Sequence, residues 1–171
     1  MMELDKQIRL RKVTEDDCDL LFGWANDPLT RKNSFNSKLI KYEEHIDWFK
    51  KAISDPSICI YIFEVDSKVV SKSDYSQEEI YVPIGQIRFK IDEELKSAEI
   101  GYSIDAQYRG YGFGKKLLNY AEKKFIHEHP QVERLTAKVK NSNEVSEKAF
   151  IGNSYFCEYK CFEKRVSCCE I

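Results

Sequence analysis

The sequence predicts a single mixed α/β domain that spans residues 1–171. Its length of 171 residues is that of about one domain, at ~150 residues per domain. Segments with the alternation of strands are interleaved with segments that have helical periodicity. A glycine-rich loop joins one such strand to one such helix, an arrangement typical of α/β folds.

The first two predicted elements are a strand and a helix. Residues 8–13 alternate weakly between apolar and polar side chains, which favours a strand. Thr14 can cap a helix whose first turn is acidic, where negative charge complements the helix dipole. Asn26-Asp27-Pro28 is expected to end this helix, and residues 29–41 follow as a polar stretch without periodicity.

A second helix and a buried strand come next. Apolar residues at the spacing i, i+3, i+7 predict a helix over residues 42–54, which the following Asp55-Pro56 ends. Residues 58–65 are apolar on both faces, as expected for a central strand. Residues 66–79 are polar and are predicted to form a long connection.

The second half of the chain is predicted to add four strands and two helices, so that the order becomes β α α β β β α β α β. The connections between the strands indicate how the strands pair. The helix after the glycine loop connects strands that must be parallel, whereas the short links before it favour antiparallel pairs, so the sheet is mixed. The predicted strands are 83–91, 98–104, 135–139 and 155–166, and the predicted helices are 113–125 and 143–151.

Composition and charge exclude several functional classes. Hydrophobic residues make up 42% and charged residues 33%, which suits a globular protein and excludes wholesale disorder. The formal net charge of −2 gives no bulk attraction to nucleic acid or to an anionic membrane, so neither partner is expected. No apolar run approaches the ~20 residues of a membrane span, and the N-terminus lacks the features of a signal peptide. We therefore expect a cytoplasmic protein.

Six cysteines raise the question of disulfides or a metal. In a cytoplasmic chain of this size, reduced thiols are the better interpretation. Their spacing matches no zinc pattern, and no metal is assigned. The six positions are Cys18, Cys59, Cys157, Cys161, Cys168 and Cys169.

The most informative segment is Arg109-Gly110-Tyr111-Gly112-Phe113-Gly114-Lys115-Lys116. A strand, a glycine-rich turn and a helix N-terminus place free backbone N–H groups around an anion site. Two lysines at a helix N-terminus are unfavourable for the dipole unless a polyanion binds there. The spacing of the glycines fits neither a dinucleotide fingerprint nor a P-loop. The segment predicts a phosphate-binding loop of another kind.

The segment also contains the pattern R-x-x-G-x-G, and a second motif follows as Ala137-x-Val139-x3-Asn143-x2-Ser146-x2-Ala149-Phe150. The two ordered motifs closely resemble those of the GNAT superfamily of N-acetyltransferases, which bind acetyl-CoA. The resemblance covers the whole chain, because the element order is also that of the family. It implies a single mixed-sheet acyl-CoA N-acyltransferase fold, with acetyl-CoA as the cofactor.

The resemblance implies which residues hold the cofactor. Free backbone groups of residues 102–104 would pair with the pantetheine arm, and amides of residues 109–114 would hold the pyrophosphate. Asn143 would contact the pantetheine end, although its position equally predicts a helix N-cap. The implied cofactor residues are Tyr102, Ser103, Ile104, Arg109, Gly110, Tyr111, Gly112, Phe113, Gly114, Lys115, Asn143, Ser146 and Phe150.

Acetyl transfer requires a neutral amine, whereas a free alkylammonium has a pKa of about 10.4, so a base must remove a proton. Glu99, on the non-core face of the cofactor strand, is the candidate base. The family often places an acidic tyrosine where this chain has Phe150, which cannot donate a proton. The acid is therefore Tyr155, a water molecule, or absent.

In such folds the acceptor binds between the first two helices, and the candidate residues here are Asn33, Phe35, Asn36 and Trp48. This region resembles acetyltransferase domains of nucleotide-sugar (pseudaminic-acid-type) biosynthesis and, more loosely, ribosomal-protein N-terminal acetyltransferases. The expected activity is acetyl transfer to a small-molecule primary amine such as an amino-sugar nucleotide. A protein N-terminal acetyltransferase and a non-catalytic acyl-CoA-binding module are the alternatives. A homodimer is left open.

Overall fold

A computed structural model describes residues 7–70 and 80–158 of the chain. Within these ranges the strands form one five-stranded sheet in the order β1-β2-β3-β4-β5. The first four strands pair antiparallel, and β4 and β5 are parallel, which confirms the predicted mixed sheet. The strands are β1 (Ile8–Lys12), β2 (Ile58–Asp66), β3 (Tyr81–Asp92), β4 (Ser97–Ile104) and β5 (Arg134–Ala137).

Helices cover both faces of the sheet. The long helix α5, Phe113–Glu128, provides the crossover between the parallel strands β4 and β5. Short 3-10 helices precede α1, at Glu15–Asp17, and the glycine loop, at Ala106–Tyr108. The helices are α1 (Cys18–Asn26), α2 (Pro28–Asn33), α3 (Tyr42–Ser54), α4 (Ser67–Val70), α5 (Phe113–Glu128) and α6 (Glu144–Ile151).

Strand β2 separates two hydrophobic clusters. Its Tyr61 and Phe63 are fully buried in the larger cluster, with the apolar side chains of α5. Its Ile60 and Ile62 point to the other face, into the smaller cluster formed with α1 and α3. A strand buried on both faces must be apolar at successive positions, which confirms that residues 58–65 form a central strand.

The structure corrects the prediction that residues 29–41 lack periodic structure, because α2 covers the first five of them. Pro28 occupies the first turn of α2, where its missing N–H and fixed φ are tolerated. The Asp27 carboxylate caps the helix by accepting a 2.9 Å hydrogen bond from the Thr30 backbone N–H. The same proline that ends one helix therefore begins the next.

Other predicted boundaries shift by a turn or less. Thr14 caps the 3-10 helix rather than α1 itself, and β5 ends at Ala137, two residues before the predicted end. Residues 66–79 contain the end of β2 and the short α4, and residues 71–79 lie outside the described ranges. Of the predicted strand 155–166, residues 155–158 are not a strand and the rest is not described. Among the described helices, none is long and apolar enough to cross a membrane.

Candidate active site

Strands β4 and β5 separate at one end of the sheet. Their pairing stops at Ile100 and Ala137, whereas β4 stays paired with β3 as far as Ile104. In the described part of the chain, residues 101–104 therefore have no strand beside them on the β5 side. Such an edge offers free N–H and C=O groups to an extended ligand. These are the residues predicted to bind pantetheine: Tyr102, Ser103 and Ile104.

The glycine loop lies beyond the end of β4 and shapes the start of α5. Gly110 and Gly112 have φ angles of +84° and +77°, a left-handed conformation that glycine adopts without strain. The first intrahelical bond runs from the Lys116 N–H to the Gly112 carbonyl, at 3.3 Å. The amides of residues 113–115 thus lie in the first turn with no intrahelical acceptor, as an anion site requires.

The Tyr102 side chain brings β4, α5 and α6 together. A Cβ on Gly114 would lie 3.3 Å from the Tyr102 ring, so the ring packs directly against the start of α5. The Tyr102 and Ser146 hydroxyl groups are hydrogen-bonded, and the Phe150 ring meets the Tyr102 ring edge-on at 5.7 Å. Burial raises the pKa of Tyr102, so the phenol keeps its proton. Sequence reasoning assigned only a backbone role to this residue.

Arg109 holds the beginning of the loop in place. Its Nε donates to the Ile104 carbonyl at 2.9 Å, and its guanidinium pairs with Asp27 at 2.7 Å. Burial raises the pKa of Asp27, but the hydrogen bonds from Arg109 and Thr30 outweigh burial and lower it overall. The side chain therefore fastens the loop to the junction of α1 and α2, and the backbone amide is the group left for a phosphate.

Other predicted cofactor residues also have structural contacts. Asn143 accepts a 3.3 Å hydrogen bond from the Ser146 N–H, as a helix N-cap does, while its contact with the cofactor stays a prediction. The Lys115 side chain lies against Gly152 at the end of α6. The Tyr111 ring is 72% exposed and the Phe113 ring is buried beneath the loop.

Glu99 and Tyr155, the predicted catalytic pair, have different surroundings. Glu99 shares the outward face of β4 with Gly101, and its Oε2 lies 2.6 Å from Lys138 Nζ. The Tyr155 hydroxyl donates to Glu122 on α5 at 2.9 Å, and its ring packs edge-on against Phe150. Burial raises the pKa values of both Tyr155 and Glu122. The Tyr155 proton is thus directed at α5.

A cleft of about 350 Å³ lies between the first three helices and the face of β3 and β4 that is opposite α5. Gly101, Tyr102 and Ser103 line it, so the cleft opens onto the unpaired edge of β4. Of the predicted acceptor residues, only Trp48 lines it. Asn33 ends α2, and Phe35 and Asn36 follow on the adjoining loop. The lining is Leu21, Trp24, Ala25, Thr30, Arg31, Ser34, Ile40, His45, Trp48, Gln86, Arg88, Gly101, Tyr102 and Ser103.

Sequence reasoning missed the β3 residues of this cleft. Gln86 and Arg88 alternate with apolar residues in the predicted strand 83–91, and that pattern indicates only the polar face of a strand. One signal could have identified these residues. The helices that precede β3 in the chain have to cover one face of the sheet, so polar residues on that face of β3 can lie beneath them. His45 lines the cleft too, with its Nε2 2.9 Å from the Cys18 carbonyl, so one ring nitrogen is used to hold α3 against α1.

In the described part of the chain, one group of side chains has metal-ligand spacing: Cys59, Glu128 and His129. The Glu128 carboxylate accepts a hydrogen bond from the Tyr61 hydroxyl and forms ion pairs with Lys12 and Lys124. Two cations already balance this charge, so no metal is assigned to it.

A parallel strand pair that separates beside a glycine loop, with a cleft on the same strand, is the arrangement expected of the acyl-CoA-dependent transferase that the sequence motifs imply. The sequence matches the family described as Acetyltransferase (GNAT) domain over residues 7–151. The chain therefore belongs to the GNAT acetyltransferase family. This confirms the predicted family, the fold class and an acetyl-CoA-dependent N-acetyltransferase.

Solved structures with this fold show low sequence identity. A domain from Methanocaldococcus jannaschii is 21% identical with a TM-score of 0.73, covering 92% of this chain and 93% of that one. Spermidine N-acetyltransferase from Vibrio cholerae, in complex with CoA and spermine, is 18% identical with a TM-score of 0.70, covering 86% and 79%. RimL, a ribosomal alpha-N-protein acetyltransferase in complex with CoA, is 17% identical with a TM-score of 0.66, covering 88% and 80%. No curated protein matches the sequence.

Proposed function

We propose that this protein transfers the acetyl group of acetyl-CoA to the primary amine of a small molecule such as an amino-sugar nucleotide. The observation that carries this proposal is the position of the cleft, which reaches residues 101–103 on the same strand edge that faces the cofactor. An amine in the cleft and a thioester along that edge would meet at one strand.

Acetyl-CoA supplies a reactive thioester, and the residues of this chain supply position and proton transfer. The glycine loop and the start of α5 would hold the pyrophosphate, and the β4 edge would align the pantetheine arm. Glu99 is the proposed base, acting on the ammonium through water. Positioning two reactants at one site can by itself remove several kcal/mol from the barrier.

A protein N-terminal acetyltransferase is the second candidate, supported by the fold shared with RimL. It needs an open groove for a peptide. The cleft here has a volume of about 350 Å³, lies between three helices and the sheet, and is bordered by aromatic side chains, which favours a compact acceptor. A non-catalytic module is the third candidate, since Phe150 stands where the family often has an acid.

Acetyl-CoA is expected to raise the melting temperature of the protein. A ligand at 100 times its dissociation constant stabilises the native state by ~2.7 kcal/mol, which a thermal shift assay resolves. NAD and Mg²⁺–ATP are the controls and are expected to give no comparable shift. Stronger stabilisation by Mg²⁺–ATP than by CoA would exclude the proposed function. A second assay separates an enzyme from a binding module. An enzyme releases free CoA thiol with at least one amine of a panel, whereas a module that only binds acetyl-CoA releases none.

Phe150→Tyr is expected to keep the CoA affinity and to raise turnover by up to ~100-fold, because a positioned acid assists departure of the thiolate. The phenylalanine ring is buried between Tyr102 and Tyr155, so the new hydroxyl enters the same cluster. Thiol release under saturating amine measures this effect. Tyr155→Phe is the companion variant: a comparable fall in turnover would identify Tyr155 as the acid, and an unchanged rate would assign its hydroxyl to the Glu122 contact alone.

A further inference from the structure

The acceptor cleft is lined by cations without a carboxylate. Arg31 and Arg88 belong to its lining, and among the described lining residues there is neither an aspartate nor a glutamate. The other polar groups of the lining are hydroxyls, an amide, indole N–H groups and an imidazole. A site that binds only an ammonium group would be expected to contain the opposite charge.

Arg88 carries a charge that its surroundings leave uncompensated. Among the described residues its guanidinium has no hydrogen bond or ion pair, and its Cζ lies 5.8 Å from the centre of the Trp48 ring. Burial lowers the pKa of Arg88, and the opposing influence of Glu99 is smaller. The Glu99 carboxylate is itself paired with Lys138 at 2.6 Å. An arginine stays protonated in this setting, and it favours an anion at its free donors.

Arg31 adds a second charge, held in place by neutral groups. Its terminal nitrogens donate to the Ser34 hydroxyl at 3.0 Å and to the carbonyls of Asn36 and Lys38 at 3.2 and 3.3 Å. Its Nε is buried and, within the described residues, has no partner. None of these acceptors is charged, so the positive charge of Arg31 also acts on the cleft.

We infer that the acceptor carries an oxyanion, a phosphate or a carboxylate, in addition to its amine, and that Arg88 binds this oxyanion while Arg31 strengthens the local positive field. The inference rests on the proposed function, because it assigns the acceptor to this cleft. Arginine binds phosphate and carboxylate through parallel N–H donors, which makes it a determinant of specificity as well as of affinity. Amines that carry only further positive charges are disfavoured by the same field.

Matched amines that differ in one anion test the inference. Glucosamine 6-phosphate with glucosamine examines phosphate, and β-alanine with propylamine examines carboxylate, with a UDP-4-amino-sugar and spermidine completing the panel. We expect kcat/KM for the anionic member of at least one pair to exceed that of its partner without the anion by about 10- to 150-fold, the range for a hydrogen bond to a charged group. Equal or higher kcat/KM for the partner without the anion in both pairs, or for spermidine over every anionic amine of the panel, would overturn the inference.

Binding of UDP to the CoA-saturated protein gives a second measurement that does not depend on turnover. Saturation with CoA occupies the glycine loop, so that further phosphate binding reports on the cleft. We expect calorimetry to detect UDP binding by the wild type and its loss in Arg88→Gln. Absence of UDP binding together with absence of any preference for anionic amines would reject the inference. Failure of the proposed function differs: the protein would then neither bind acetyl-CoA nor release thiol with any amine.

The variants separate recognition from a structural role of Arg88. Arg88→Gln is expected to raise KM for the preferred anionic amine by about 10- to 150-fold, with CoA affinity unchanged and with no rise in KM for the partner amine that lacks the anion. Arg88→Lys keeps the charge, loses the planar fork and should fall between the two, which also covers the case in which the glutamine variant does not fold. Arg134→Gln, an exposed arginine on β5, is the matched control and should change nothing. An equal loss of kcat/KM for the amines with and without the anion would assign Arg88 to packing against Trp48 and reject the inference.

Discussion

Glu99→Gln is expected to lower turnover at neutral pH by ~100- to 10,000-fold, the usual contribution of a general base. The substitution keeps the shape of the side chain and removes its ability to accept a proton. Glu99 lies on the outward face of β4, two residues from Gly101, which lines the acceptor cleft. Because that segment is not part of the glycine loop, CoA affinity should change little. Thiol-release kinetics and calorimetric titration with CoA measure the two quantities.

Glu133→Gln is the matched control for this experiment. Glu133 is also ion-paired with a lysine, Lys96 at 2.7 Å, but it lies near the opposite end of β4 from the cleft. Loss of an exposed glutamate–lysine pair alone should therefore leave the rate unchanged. If Glu99→Gln behaves like this control, proton removal belongs to water or to another residue.

The pH dependence gives the same information through a different measurement. The wild-type rate should rise with pH, because the neutral fraction of an amine with a pKa near 10.4 rises. Without a base, the glutamine variant depends on amine that is already neutral, so its profile should be displaced to higher pH. Identical profiles for the two proteins would assign Glu99 to the solvated face of the strand.

Gly112→Asp is expected to weaken CoA binding by on the order of 100-fold or more. A unit charge 4 Å from another contributes ~4 kcal/mol at an effective dielectric constant of 20, and screening by solvent reduces this value. Nothing lies within 4 Å of a Cβ placed on Gly112, so the variant has room to fold. The negative charge would stand at the start of α5, where the pyrophosphate is proposed to bind. Titration calorimetry with CoA measures the loss.

Gly112→Asn separates charge from backbone strain. Gly112 has a φ angle of +77°, and asparagine and aspartate are both among the residues that tolerate this conformation. Asparagine has nearly the same shape without the charge, so it should lose much less CoA affinity than aspartate. Equal affinities for wild type and the aspartate variant, with both folded, would show that the loop serves only as a turn.

Local patterns predicted the strand, loop and helix start around the glycines. The glycine spacing, the preceding strand and the helix N-terminus are adjacent in sequence, so their geometry follows from the rules of strand ends and helix starts. The unpaired edge at residues 101–104, in contrast, does not follow from residues that are adjacent in sequence. It exists because β5 ends at Ala137, and the sequence of β5 suggested a longer strand.

The α2 helix shows why a local signal can be misread. Asn26-Asp27-Pro28 was interpreted as a helix stop, and it is one. Proline is equally suited to the first turn of a new helix, and the choice depends on what covers that turn. Here Asp27 is fixed by Arg109, 82 residues away in the chain, so the junction of α1 and α2 depends on a contact that no sequence window contains.

The sequence by itself determined the family, the mixed sheet and the position of the glycine loop at a helix start, since periodicity and glycine spacing act over a few residues. Tertiary structure alone decided the acceptor cleft. Trp48 on α3 was predicted to contact the acceptor, whereas Arg31 on α2 and Arg88 on β3 look like ordinary surface or strand residues in their own segments. Packing of the three helices on the sheet places these side chains around one cleft.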